Sequence, residues 1–297
     1  MNREISLAEA APSAWWVRIF AALPLSWLHA FARFLAVLAD RVFPYRRHVV
    51  EGNLRIAFPE FDEATLRTVI RDYYRGFADM LLEIVKSARL SRAEITERVS
   101  ISNLPELERL LAVGKPVLCV AAHQCNWEWM LLSLSAQLSY PLDAAYKPLV
   151  DSWAEREMLK IRTRFGARMV PADTLLADII KKRATPRAIA MVADQEPVNS
   201  ERKHWLHFLN RDTAFFLGAE EIVRATHYAA LFIELRRTGR GRYVMSFRPL
   251  ATAGEKLERG EFTERYAALV EAQIRSAPPD WPWSHKRWKL KKPLYGA

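Results

Sequence analysis

The spacing of apolar residues divides the chain into two regimes. Ile19 to Ala32 is a run of 14 residues without formal charge, interrupted by Pro24. It falls short of the roughly 18–20 apolar residues that a membrane span needs. Beyond Pro24, Leu28, Phe31, Leu35, Leu38 and Val42 recur at steps of three and four, with His29, Arg33 and Asp40 off that stripe. The spacing predicts an amphipathic helix that either packs on a core or lies in a membrane interface. Tyr45 to Glu60 is basic and then reads as loop, ending in Phe58-Pro59. Asp62 can cap a long helix reaching Ala88, with Leu66, Val69, Tyr73, Phe77, Met80 and Ile84 as its buried stripe.

From Val99 onward, short apolar runs alternate with helical patterns. Strands are expected at 98–101, 117–122, 142–146, 168–170, 188–193, 228–236 and 242–248. Helices are expected at 104–112, 127–138, 173–183, 214–225 and 263–276, with one more between the cap Asp151 and the stop Gly166. Residues 194–212 read as a long polar loop, of a length that is usually functional. Such alternation predicts an α/β fold, with a mostly parallel or mixed central sheet flanked by helices. Residues 1–42 are expected to form an N-terminal amphipathic, membrane-associating helix and 43–297 one further domain, without repeat or linker. Residues 1–14 read as poorly ordered and lack the pattern of a cleaved signal peptide.

Charge narrows the partners. With 44 Lys and Arg against 34 Asp and Glu the formal net charge is +10, which suits an anionic surface. No nucleic-acid motif accompanies it, and the 10 tryptophans favour a boundary between water and an apolar phase. Cys119 and Cys125 form neither a metal motif nor a disulfide framework, and no metal cluster is expected among the seven histidines.

Candidate chemistry concentrates at 116–132. The apolar run Val117 to Ala122 reads as a buried strand, His123 stands where it must end, and Asn126 can cap the helix that Trp127 opens. Ligands in open α/β sheets bind outside the carboxyl ends of the strands. A histidine there can act as general base near neutral pH, and Glu128 in the next turn can orient it. Spacing alone is weak, since His207 and Asp212 repeat it, but only His123 leaves a buried-strand pattern. Asp194, Gln195 and Glu196 follow the strand 188–193 and are expected beside His123, binding substrate. Lys147, Arg162, Arg164 and Arg168 are candidate cations for phosphate at the same mouth. Cys125 as a nucleophile is the alternative to a small helix-entry residue.

His123-Gln124-Cys125-Asn126-Trp127-Glu128 resembles the His-x4-Glu/Asp box of the lipid A biosynthesis acyltransferases, the late lauroyl and myristoyl transferases of Gram-negative bacteria. Four further blocks resemble the family in order: Arg46-Arg47 with Asn53 to Glu60, Tyr146-Lys147-Pro148, Ala193 to Pro197, and Trp281-Pro282-Trp283-Ser284-His285-Lys286-Arg287-Trp288-Lys289. Lys147 stands where relatives usually have Arg, and Asn210 to Thr213 where they often read Gly-Arg-Pro-Ala. The resemblance implies an acyltransferase on the cytoplasmic face of the inner membrane, peripheral to it. Its catalytic pair would be His123 and Glu128, with Asn126, Lys147, Arg162, Arg164, Arg168, Asp194, Gln195 and Glu196 at the substrates. An acyl carrier protein or coenzyme A thioester would be the donor, an anionic glycolipid the acceptor, and no cofactor is needed. The same residues leave open another acceptor (a phosphatidylinositol mannoside, an aminolipid or a polyene lipid) or a catalytically silent lipid-binding relative.

Overall fold

The computed structural model describes residues 14–197 and 202–291. The expectations for residues 1–13 therefore lie outside the described residues. The order is α1 (Trp15–Ala22), α2 (Leu25–Val37), α3 (Arg47–Ala57), α4 (Glu63–Lys86), α5 (Arg92–Arg98), β1 (Val99–Ile101), α6 (Leu104–Leu111), β2 (Val117–Ala121), α7 (Trp127–Gln137), β3 (Leu142–Tyr146), α8 (Ser152–Arg162), β4 (Arg168–Pro171), α9 (Leu175–Lys181), β5 (Ala188–Val192), β6 (Lys203–Phe208), β7 (Arg211–Phe216), α10 (Gly218–Thr226), β8 (Ala230–Gly239), β9 (Arg242–Ala251) and α11 (Glu261–Ser276).

Seven strands form one sheet in the order β1-β9-β8-β2-β5-β3-β4. β8, β2, β5, β3 and β4 run parallel, and β1 and β9 run the other way. β2 lies at the centre with both faces covered, so every residue in it is apolar and buried. Leu118 and Val120 face the helical layer that includes α2, α3, α4, α10 and α11; Val117, Cys119 and Ala121 face the layer of α5, α6, α7 and α8.

The long helix is α4, capped as expected by Asp62, whose side chain accepts from Thr65 N at 2.7 Å. Two expected loops are ordered elements. Tyr45 to Glu60 contains α3, which buries Val50, Leu54 and Ala57 at helical spacing. Residues 194–212 contain β6 and the start of β7, an antiparallel hairpin turning at Leu209 and Asn210 (φ 50° and 61°). The helix expected from 214 begins only at Gly218 for the same reason.

The N-terminal stripe also differs. α2 buries Leu28, His29, Ala32 and Ala36, the small residues allowing close approach to α4. Of the expected stripe Leu28 is buried, while Phe31 and Val42 are exposed. His29 is buried because Glu83 of α4, fully buried, lies 3.0 Å from its Nε2. Glu83 also accepts from Tyr243 (2.7 Å) and Asn126 (2.9 Å). Burial would raise its pKa, but these partners hold the carboxyl below its ordinary value.

Candidate active site

Between β2 and α7 the chain reverses within five residues. Cys125 takes the left-handed conformation there (φ 52°), and its N–H donates to Asp280 O at 2.8 Å. A side chain in that region costs roughly 1–2 kcal/mol; the bond to Asp280 and the cap on α7 hold the turn in place. Asn126 then caps α7, accepting from Trp129 N at 3.0 Å.

His123 emerges at the carboxyl end of β2. β2 and β5 pair in parallel with Ala121 opposite Val192, so two residues further His123 comes opposite Asp194. Asp194 Oδ1 lies 2.6 Å from His123 Nδ1, and both carboxylate oxygens accept from His123 N at 3.1 Å. Trp281 Nε1 donates to Asp194 Oδ2 at 2.8 Å, and Arg287 Nε donates to Asp194 O at 2.7 Å. Complete burial alone would raise the Asp194 pKa. The charge of His123 and the hydrogen bonds from His123 and Trp281 outweigh it and keep the group ionised below its ordinary value. An ionised Asp194 accepts Nδ1–H, which leaves Nε2 as the basic nitrogen. The exposed amide of Gln195 lies 3.3 Å from Nε2, and Trp127 stands edge-on to the ring at 4.9 Å.

The expected pairing of Glu128 with His123 is corrected. Glu128 lies in the first turn of α7, buried, and Arg162 grips it in a two-pronged ion pair (Nε to Oε2 2.9 Å, Nη2 to Oε1 2.6 Å). The helix carries the side chain away from the imidazole towards α8. Asn126 is also turned inward, held by its cap and by Glu83, so it does not line the mouth as expected. Glu196 fastens the C-terminal tail, accepting from Lys289 N and Leu290 N at 2.5 and 2.6 Å.

The expected row of cations divides. Lys147 follows β3, exposed at the carboxyl edge, and Arg162 reaches α7 at that edge through Glu128. Arg164 instead donates to the carbonyls of Ala88 and Leu90. Arg168 opens β4 at the amino end, bonded to Asp143 (2.6 and 2.8 Å) and Asp178 (2.6 and 2.9 Å). β4 lies three strands from β2, about 14 Å across, and Arg168 sits level with Leu118, about 16 Å behind His123. A side chain does not bridge that distance, so the expected phosphate contact of Arg168 at the mouth is not formed.

Beside His123 is a narrow cleft of about 20 Å³, walled by Tyr73, Phe77, Met80, Trp127, Arg237 and Trp281. Tyr73 and Met80 are buried as expected of the α4 stripe, and with Phe77 they also border this cleft. The thiol of Cys125 also borders the cleft but is itself buried, pointing at Leu235 O (3.7 Å), and burial pushes its pKa well up. That is the opposite of what a nucleophilic cysteine requires.

The sequence blocks meet here. Arg46 donates to Ser284 O (3.2 Å) and Asn53 to Trp283 O (3.0 Å), so the first block holds the last one. The last block in turn holds Asp194 through Trp281 and Arg287. His285 lies between them, its pKa lowered by burial and by Arg287. Roles for Trp281 and Arg287 on Asp194 were not expected. Their signal was the run of aromatic and basic residues so close to the end of the chain.

A family model described as bacterial lipid A biosynthesis acyltransferase matches residues 11–290, nearly the whole chain. The chain belongs to this family. Two relatives resemble it weakly and over most of their length. The lipid A biosynthesis palmitoleoyltransferase of Escherichia coli (strain K12) is 20% identical over 261 residues, covering 86% of this chain and 83% of that protein. The lipid A biosynthesis acyltransferase of Shigella flexneri matches with the same identity and coverage. As a lipid A acyltransferase family member the protein is an acyltransferase, and His123, Asp194 and Trp281 fall inside the matched region.

Proposed function

We propose that the protein moves a fatty acyl group from a thioester on acyl carrier protein or coenzyme A to a hydroxyl of a lipid A precursor. The observation that carries this reading is the His123–Asp194 couple at the strand end, with Nε2 meeting only the exposed Gln195 amide among the described residues. Gln195 stands where the acceptor hydroxyl binds and gives way to it. Nε2 takes the hydroxyl proton as the oxygen attacks the thioester carbonyl. Asp194 stabilises the imidazolium that forms. The tetrahedral intermediate then expels the thiolate, which takes the proton from Nε2, leaving an ester and a free thiol. Tyr73, Phe77, Met80 and Trp127 give the site an apolar rim beside His123, against which the thioester end of the acyl group rests.

No helix among the described residues is long and apolar enough to cross a membrane. α1 and the segment Leu25–Val42 together pass on length and composition, but are bent by 111° at the break. In this reading they rest on the inner face of the membrane, where the acceptor is held. Lys147, exposed at the carboxyl edge, receives its phosphates or those of the donor, while Arg162 is held on Glu128.

His123→Ala tests the chemistry. The reading expects turnover to fall about 10²–10⁴-fold with folding retained. Extracts of a deletion strain should lack one acyl ester, which names acceptor and chain. Transfer within a few-fold of wild type would remove His123 from the mechanism.

A further inference from the structure

An apolar surface assembled from two distant pieces of sequence lies on this side of the molecule. One piece is the outer face of α1 and α2, where Trp15 is 74% exposed, Trp27 66%, Phe34 57% and Ile19 53%. The other is the segment 147–153, which leaves β3 and enters α8. Leu149 is 43% exposed, Trp153 37%, and Val150 stands entirely in solvent. The pieces join where the rings of Trp16 and Trp153 meet, with centroids 5.4 Å apart. Arg18, Arg33 and Lys147 are exposed on the same segments, with Arg41 just beyond α2 and Arg156 in the first turns of α8 also exposed.

Tryptophan and long aliphatic side chains mixed with arginine and lysine match the headgroup layer of an anionic bilayer, which takes apolar groups and basic charge together. The position of the second piece adds an orientation. β3 is two strands from β2, about 10 Å across the sheet. Lipid contact at 147–153 therefore turns the carboxyl edge, and the His123 cleft with it, towards the membrane.

We propose that segment 147–153 is a second lipid-contacting element, inserting beside α1 and α2 into an anionic bilayer and holding the His123 cleft against the headgroup layer. This extends the membrane placement given above, and its test needs neither substrate nor turnover. Cys119 and Cys125 are both buried, so Val150→Cys gives a single accessible thiol for an environment-sensitive fluorophore. Val113→Cys, 74% exposed in the turn before β2, reports from the opposite pole of the sheet. The full chain is mixed with phosphatidylethanolamine–phosphatidylglycerol vesicles and, separately, with phosphatidylcholine vesicles.

On the anionic vesicles, emission at position 150 should shift to the blue and be quenched by spin-labelled lipid, while position 113 stays unchanged. Leu149→Asp with Val150→Asp should weaken co-sedimentation about tenfold with the melting temperature unchanged. A water-like signal at 150 on protein that still pellets would leave α1 and α2 as the sole anchor and overturn the proposal. Equal responses at 113 and 150 would overturn the orientation. Failure to bind vesicles, with Val150→Asp dissociating a dimer, would assign the surface to a second copy of the chain instead. Loss of acyl transfer in His123→Ala bears on the chemistry and leaves these readouts untouched.

Discussion

Asp194→Asn keeps the shape of the side chain and changes what it can accept. In the wild type, Oδ1 faces His123 Nδ1 at 2.6 Å and Oδ2 faces Trp281 Nε1 at 2.8 Å, while His123 N reaches both oxygens. An amide has one oxygen and one NH2 for these places. If the NH2 faces Trp281, two donors oppose each other in a buried site, at a cost of about 1–3 kcal/mol in stability. If it faces His123, the amide donates to Nδ1, drives the ring proton to Nε2, and leaves no base on the side of the substrate. Either way the imidazolium formed during attack loses its counter-charge. At an effective dielectric of about 20, opposite charges 4 Å apart attract by about 4 kcal/mol, or roughly a thousandfold in rate. With the tautomer lost as well, kcat should fall about 10³–10⁴-fold at nearly constant KM.

The stability of the same variant has a defined dependence on pH. The folded pKa of Asp194 is depressed, so the wild type holds this stabilisation above the unfolded value near 3.9 and loses it as pH falls through the lower folded value. The variant has no carboxyl to protonate, and that part of its acid denaturation should be missing. Transfer of labelled acyl chain from a saturating thioester donor, with melting curves from pH 7 to pH 3, measures both effects. A kcat within tenfold of wild type in a folded variant would refute the reasoning.

Two further substitutions test the other assignments. Cys125→Gly relieves the left-handed backbone at φ 52° and removes the buried thiol, so activity should stay within a few-fold of wild type. Loss of more than about a hundredfold would return the thiol to the mechanism. Arg168→Glu breaks the contacts with Asp143 and Asp178 at the amino end of the sheet and should lower the melting temperature by about 3–10 °C, leaving KM for both substrates unchanged. A raised KM that recovers with salt would place this arginine at the mouth after all.

The central strand, its helix and the histidine between them were legible because burial on both faces forces an unbroken apolar run and the turn needs its cap. Asp194 was legible as a strand-end residue but not as the partner of His123. That assignment depends on which strands are neighbours, and β2 and β5 are far apart in sequence. Glu128, the nearer acid in sequence, is carried by helix geometry to Arg162. The helix α3 was hidden because its buried Val50, Leu54 and Ala57 sit among arginines and beside Gly52. The β6–β7 hairpin was hidden because its turn is made by Leu209 and Asn210 without the glycine that usually marks one. In the N-terminal segment the stripe left core packing and an interface position open, and the structure divides it: Leu28 packs inward with the alanines of α2, while Phe31 and Phe34 stay outside.

The central claim is that Asp194, and not Glu128, holds the imidazole of His123. A hydrogen bond of 2.6 Å from Nδ1–H to a buried carboxylate should give a proton resonance far downfield of the amides, assignable by its absence in His123→Gln. The account predicts that this resonance persists in Glu128→Gln and disappears in Asp194→Asn. A resonance lost in folded Glu128→Gln and retained in Asp194→Asn would contradict it.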